Sequence, residues 1–265
     1  MLFSSITFLY YFLPIVLIIY FLTPKKGKNL VLMIASFAFY GWGEPVYLLF
    51  MLLSVAVHYV LALLIERHQG RKLAKVWLVL AVTFSLALLG YFKYADFFIQ
   101  NFNAATGMSL PLLKVALPIG ISFYTFQILS YTVDVHRRET PAQRNVIKLA
   151  TYVSMFPQLI AGPIVRYVDV AAGLDEREHS IEKFRSGLRR FLIGLAKKVI
   201  LANSLGELCQ IFLKTTDQTV LFHWIYAVAF TLQIYFDFSG YSDMAIGLGR
   251  ILGFEFLENF NYPFI

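Results

Sequence analysis

With 265 residues, 58% of them hydrophobic and only 15% charged, the chain falls well short of the roughly one-quarter charged content of soluble domains. That excludes an ordinary soluble enzyme and points to a polytopic membrane protein, in line with a mean hydropathy of +0.66. The net charge of +7 sits in short loops between apolar runs, where headgroups and the positive-inside rule account for it and nucleic acid does not. The lone cysteine, Cys209, excludes an intrachain disulfide and any multi-cysteine metal site.

Residues 2–22 form a predominantly apolar run long enough to cross about 30 Å of hydrocarbon. It lacks a basic leader and a small-residue cleavage site, so it is read as a retained span. Thr23-Pro24 ends it and Lys25, Lys26 and Lys28 follow. Further runs cover 30–42, 46–65 and 76–92, divided by the Gly41–Pro45 turn and by a loop carrying Arg67, Arg71, Lys72 and Lys75. A polar, nearly uncharged loop is predicted over 101–109. Basic and weakly charged loops alternate, which predicts an N-terminus outside the cytoplasm and lysine-rich loops within it.

The pattern then becomes irregular. Residues 110–135 are apolar but interrupted by Pro118 and Gly120. Residues 149–165 carry Pro157 and Gly162-Pro163 between basic flanks, Arg144 and Lys148 before and Arg166 after. A simple crossing would place one basic flank on the wrong side, so a re-entrant segment is expected, with backbone breaks buried in protein or lining a wet cavity. Residues 169–186 read as a charged cytoplasmic loop. The stretch 185–199 reads as a basic amphipathic helix at the inner surface that turns into the bilayer. A span over 220–236 and a further helix over 244–257 complete the pattern. No internal repeat, soluble domain or linker is visible, so 1–265 is taken as a single transmembrane region.

The segment YFDFSGYSDMAIGLGRILGFEF, residues 235–256, sets Asp237, Ser239, Ser242 and Asp243 at or beside membrane depth, where carboxylates are expensive and usually functional. Tyr235, Asp237, Ser239 and Asp243 are therefore the candidate chamber-lining residues. One structural alternative makes Ser239 or Ser242 the cap of a following helix, with Asp243 in its first turn. Pro157, Gln158, Gly162, Pro163 and Arg166 form the second candidate group. Arg166 is expected either to snorkel to headgroups or to meet a donor's phosphates. Gly247-x-Gly249-x-x-x-Gly253 lacks a preceding strand and dinucleotide-loop spacing, so helix packing explains it. His58 reads as a packing histidine, His68, His136 and His179 as solvated loop residues, and His223 as an interface residue.

The segments MLFSSITFLYYFLP, FAFYGWGEPVY, LPIGISFYTFQILSYTVDVHR, FPQLIAGPIVRY and YFDFSGYSDMAIGLGRILGFEFLENFNYPF, in this order, resemble the membrane-bound O-acyltransferase family. Within it they look closest to the bacterial branch that acetylates exopolysaccharides such as alginate. The resemblance implies an all-α ring of helices with short and re-entrant members around a thin floor. It also implies transfer of an acetyl group from a cytoplasmic thioester, acetyl-CoA or another, towards an exported polysaccharide. A periplasmic acetyltransferase partner, residence in the bacterial inner membrane and no bound cofactor or metal go with it. The family's catalytic histidine is expected beyond Ile265, so none of the five histidines here is assigned that role, and the chain is read as the N-terminal portion of a longer domain. Alternatives are D-alanyl transfer to teichoic acid, a transporter or channel with broken helices and midplane acids, and a catalytically silent fragment.

Overall fold

The computed structural model describes residues 2–159, 162, 165–215 and 219–261. Among them every regular element is a helix, and Pro45–Arg67, Lys72–Thr106 and Val220–Ile251 are long and apolar enough to cross a membrane. The described residues gather into two compact units, one of residues 23–159 and 166–168, the other of 2–22, 162, 165 and 169–261.

In the 23–159 unit, α2 (Lys28–Gly41) leads into α3 (Pro45–Arg67), which opens on a proline whose missing N–H is no loss in a first turn. The helix α4 (Lys72–Leu89) passes through a π-helical turn, Gly90–Tyr94, into α5 (Ala95–Thr106), so the predicted loop at 101–109 is helical for most of its length. Gly107, at φ +72°, ends α5 in the left-handed conformation that glycine adopts without strain. The expected apolar span at 110–135 becomes helical only at Ile121, as α6 (Ile121–Arg137). Pro111 and Pro118 supply no amide hydrogens to an earlier start. Side chains satisfy that coil instead. The Asp96 carboxylate accepts from the Leu113 and Lys114 amides at 2.7 and 3.0 Å, and Asn103 exchanges two bonds with the Leu110 backbone, both at 2.9 Å.

Helices α3, α4 and α6 pack together around His58, which is fully buried. The Thr132 hydroxyl donates to the Ile128 carbonyl at 3.1 Å, leaving it to accept from His58 Nδ1 at 2.7 Å. Nε2, without a proton, then accepts from Ser85 Oγ at 2.9 Å. A neutral packing histidine with both nitrogens satisfied is what the sequence led one to expect.

The segment read as re-entrant begins as α7 (Val146–Ser154), capped by Asn145, whose side chain accepts from the Ile147 amide at 2.9 Å. Nine residues rise only about 13 Å, less than half a bilayer core. The helix ends three residues before Pro157, whose ring and missing N–H forbid continuation. The chain stays buried through Leu159, with the Phe156 amide donating to Ser36 Oγ at 3.1 Å. A broken helix buried in protein is the form in which such backbone is tolerated at membrane depth.

In the second unit, a π-helical turn, Thr7–Phe12, continues into α1 (Leu13–Leu22). Helix α8 (Tyr167–Asp175) occupies part of what the sequence suggested was a charged loop. Next, α9 (Ile181–Ala196), a π-helical turn (Lys197–Ala202) and α10 (Asn203–Lys214) form one unbroken helical run. The chain then returns as α11 (Val220–Ile251), 32 residues long and capped by Thr219. The result is a long antiparallel hairpin. It corrects one expectation: 220–236 and 244–257 are not separate helices, because α11 runs unbroken to Ile251, while the 185–199 stretch packs along it. The amphipathic pattern of α9 was legible. Its partner was not.

Candidate functional site

The two arms of the hairpin approach through glycine. A Cβ added at Gly187 would lie 2.6 Å from the Gly247 carbonyl oxygen, and one at Gly194 would lie 2.5 Å from that of Gly240. Both pairs are spaced seven residues apart on their helices, which brings them onto one face of each. Close backbone contact at small residues is how helices associate where lipid removes the hydrophobic drive. The helix-packing assignment of Gly247 therefore holds, and Gly249 likewise lies against the Phe256 ring.

That approach determines what the acidic residues do. Asp243 Oδ1 accepts from Arg190 Nε and Nη2 at 3.0 and 2.9 Å, and Oδ2 accepts from Lys197 Nζ at 2.6 Å. Arg190 also grips Glu258 through both terminal nitrogens. With both oxygens engaged by cations, Asp243 is a clamp between the α9–α10 run and α11. It is not a first-turn residue, because α11 runs uninterrupted past it. Ser239 and Ser242 accordingly cap nothing; both hydroxyls are buried in mid-helix and make no hydrogen bond among the described residues.

Asp237 differs. One oxygen meets Lys198 Nζ at 2.6 Å and the side chain remains 41% exposed. It borders a 590 Å³ cavity between α10 and α11, whose polar lining includes Lys198, Glu207, Gln210 and Gln233. Tyr235 lies edge-on to Phe236 and Phe260, with ring centroids 5.3 and 5.9 Å away. Of the four residues singled out from the 235–256 segment, Asp237 alone lines this cavity.

Of the second candidate group, Pro157, Gln158 and Arg166 belong to the unit that contains α7, and Gly162 to the other. Gln158 is buried and donates to the Tyr152 carbonyl at 2.7 Å, a carbonyl that also accepts from Gln127 Nε2 at 2.9 Å. Its own Oε1 is buried without a partner among the described residues. Gly162 is buried as well, while Pro163 lies outside the described residues. Arg166 does not reach out to solvent alone: it forms a bridge to Asp134 at 2.6 Å and a second to Glu139. Two carboxylates already neutralise the guanidinium, which leaves it little charge to offer a phosphate.

The remaining histidines are structural or peripheral. His68 Nδ1 lies 2.9 Å from the Leu64 carbonyl, and exposed His223 sits edge-on to Phe222. His179 is more than a solvated loop residue: its ring meets Tyr20 edge-on at 5.6 Å. Among the described residues no group of His, Cys, Asp or Glu could hold a metal ion. Sequence reasoning missed the cations of α9 as partners of the α11 acids, although the matching heptad spacing of the glycines was available as a signal.

Broken helices, long apolar helices and glycine-tight packing define an all-helical polytopic membrane protein among the described residues. Residues 34–263 match the family described as MBOAT, membrane-bound O-acyltransferase family, and the chain belongs to it. It is similar to the probable alginate O-acetylase AlgI of Pseudomonas aeruginosa, 44% identical over 270 residues that cover all of this chain and 52% of the relative. It is 33% identical to the peptidoglycan O-acetyltransferase of Helicobacter pylori, covering all of this chain and 56% of that protein. A more distant relative, the teichoic acid D-alanyltransferase of Bacillus subtilis, is 26% identical over 56% of this chain and 38% of its own length. The chain thus spans about half the length of the curated relatives it matches most fully.

Proposed function

We propose that this chain belongs to an enzyme moving acetyl groups from a cytoplasmic thioester, acetyl-CoA or a similar donor, to hydroxyls of an exported polysaccharide such as alginate. The carrying observation is similarity along the whole chain to two relatives named for O-acetylation of different glycans, alginate and peptidoglycan. In the transfer, a hydroxyl oxygen forms a bond to the acetyl carbonyl carbon, the C–S bond breaks, and the hydroxyl proton passes through a base to the departing thiolate. The family resemblance assigns the base to a histidine C-terminal to Ile265. Asp237, whose second oxygen makes no ion pair among the described residues and which borders a cavity, is the carboxylate here best suited to orient such a base. The proposed setting is the bacterial inner membrane with the N-terminus on the periplasmic side, acting beside a periplasmic acetyltransferase partner.

The test is acetyl transfer from radiolabelled acetyl-CoA to polysaccharide in membranes containing the whole protein, comparing wild type with Asp237→Asn. Loss of transfer with unchanged protein level supports both the reaction and the residue. Full activity of the variant removes Asp237 from the site. Transfer of D-alanine from a charged carrier protein, with none of acetyl, would replace the reaction by that of the more distant relative.

A further inference from the structure

Three helices of the 23–159 unit bring uncompensated cations to one place. Helix α3 closes on Arg67, the turn after it leads through Arg71 to Lys72 and Lys75 in the first turn of α4, and α6 is capped by Arg138. Gln69 in the turn donates to the Val135 carbonyl at 3.0 Å, and a Cβ added at Gly70 would lie 3.6 Å from Arg138 Nη2, so the end of α6 lies against the turn. Arg67, Arg71, Lys72, Lys75 and Arg138 are all exposed, and none makes a side-chain hydrogen bond or ion pair among the described residues. The neighbouring acids are already committed, Glu66 to Arg144 and the Ala142 amide, Asp134 and Glu139 to Arg166. The first turn of α4 holds no acid, although the positive end of a helix dipole disfavours Lys72 and Lys75 there.

Depth selects the counter-charge. The apolar run of α3 ends at Ile65 and that of α4 begins at Val76. At about 1.5 Å per residue, Arg67 lies roughly 3 Å and Lys72 roughly 6 Å beyond those ends, within a headgroup layer about 5–7 Å thick. Lipid phosphates are the anions at that level, and basic clusters between the cytoplasmic ends of spans hold them. Deeper along α4, Leu73, Val76 and Leu80, spaced three and four, form an exposed apolar stripe. A soluble polyphosphate would leave that stripe unused, and a zwitterionic lipid would bring an ammonium group into a field of cations. A single phosphate would leave most of the positive charge unmatched. A headgroup with two phosphates, carrying its own acyl chains, answers both the charge and the stripe.

We propose that the α3–α4 turn and the end of α6 form a site for an anionic phospholipid with two phosphates, of the diphosphatidylglycerol class, whose acyl chains lie on the α4 stripe. The bound lipid neutralises the turn and ties α3, α4 and α6 together at the membrane surface. The site does not rest on the acetyl-transfer reading.

The experiment titrates the whole protein, delipidated in neutral detergent, with diphosphatidylglycerol and counts the retained lipid by native mass spectrometry. Each surface cation removed should weaken binding about fivefold, so Arg71→Gln/Lys72→Gln/Arg138→Gln should bind on the order of 100-fold more weakly than wild type. Arg185→Gln/Arg189→Gln, which removes two exposed cations of α9 that make no ion pair among the described residues, should leave binding unchanged. Equal weakening per charge in both variants would reduce the effect to general attraction and overturn the site. Arg71→Lys/Arg138→Lys keeps the charge and the fold and should bind like wild type; a loss there as deep as in the glutamine variant would overturn the charge argument. Phosphatidylcholine should not compete, and phosphatidylglycerol should compete less well than unlabelled diphosphatidylglycerol against an isotope-labelled sample. Phosphatidylglycerol competing equally would overturn the two-phosphate assignment. Displacement by inorganic pyrophosphate or acetyl-CoA at the lipid's own concentration would make this a site for soluble phosphates and overturn the lipid.

Discussion

Replacing Gly194 by alanine tests the close approach of α9 and α11 directly. The new Cβ would lie 2.5 Å from the Gly240 carbonyl oxygen, 2.7 Å from the Met244 amide nitrogen and 2.9 Å from Asp243 Cβ, where ordinary contact begins at 3.4 Å. Two of these three neighbours are helix backbone, which cannot rotate away, so the helices must part by most of an ångström. Overpacking of this kind costs about 1–3 kcal/mol. The parting also stretches the Arg190 and Lys197 bonds to Asp243, which span the same interface at 2.6–3.0 Å. With about 2–4 °C of Tm per kcal/mol for a domain of this size, the expected fall is roughly 2–12 °C. Buried Cys209 supplies the assay, because a thiol-reactive dye reports its exposure as the detergent-solubilised protein is heated. Gly90→Ala is the control: nothing lies within 4 Å of a Cβ there, so it should leave Tm unchanged or raise it slightly. A Tm for Gly194→Ala matching that of Gly90→Ala would refute the glycine contact as a determinant of the hairpin.

Three further outcomes follow from the ion pairs and the buried histidine. Asp243→Ala strands two cations and should lower Tm more than Asp237→Ala, since Asp237 has one partner and a more exposed side chain, 41% against 14%; the reverse order, read by the same dye, would reject the clamp. The hydrogen bonds from Arg190 hold the Glu258 carboxyl below its ordinary value of 4.5. A lowered folded value means that its stabilisation is present above pH 4.5 and fades as the pH falls through the folded value. The Tm gap between wild type and Glu258→Gln should therefore be constant from pH 7 to 5 and close on further acidification; a pH-independent gap contradicts the pairing. His58→Leu leaves Ser85 Oγ buried without its acceptor and should destabilise by about 1–3 kcal/mol. Acetyl transfer per folded molecule, measured well below Tm, should be retained, and its loss would give His58 a role beyond packing.

The sequence by itself determined the class and much of the plan. Long apolar stretches cross membranes because hydrocarbon tolerates little else, so the spans at 46–65 and in 220–236 could be read without coordinates. Pro157 announced the break after Ser154 because proline cannot continue a helix, and His58 could be read as a packing residue from its place in a span. The tertiary structure alone decided what the acids of 235–256 do. Periodicity reports which face a residue occupies but not which helix lies opposite. Asp243 and Arg190 are 53 positions apart, and only the antiparallel return of α11 along α9 brings them together. The same return keeps α11 helical through Ser239 and Ser242, which local capping preference would have made a boundary, because packing against Gly187 and Gly194 outweighs that preference. It also separates two aspartates that look alike in sequence: Asp243, saturated by cations inside the interface, and Asp237, left half open at the edge of a cavity.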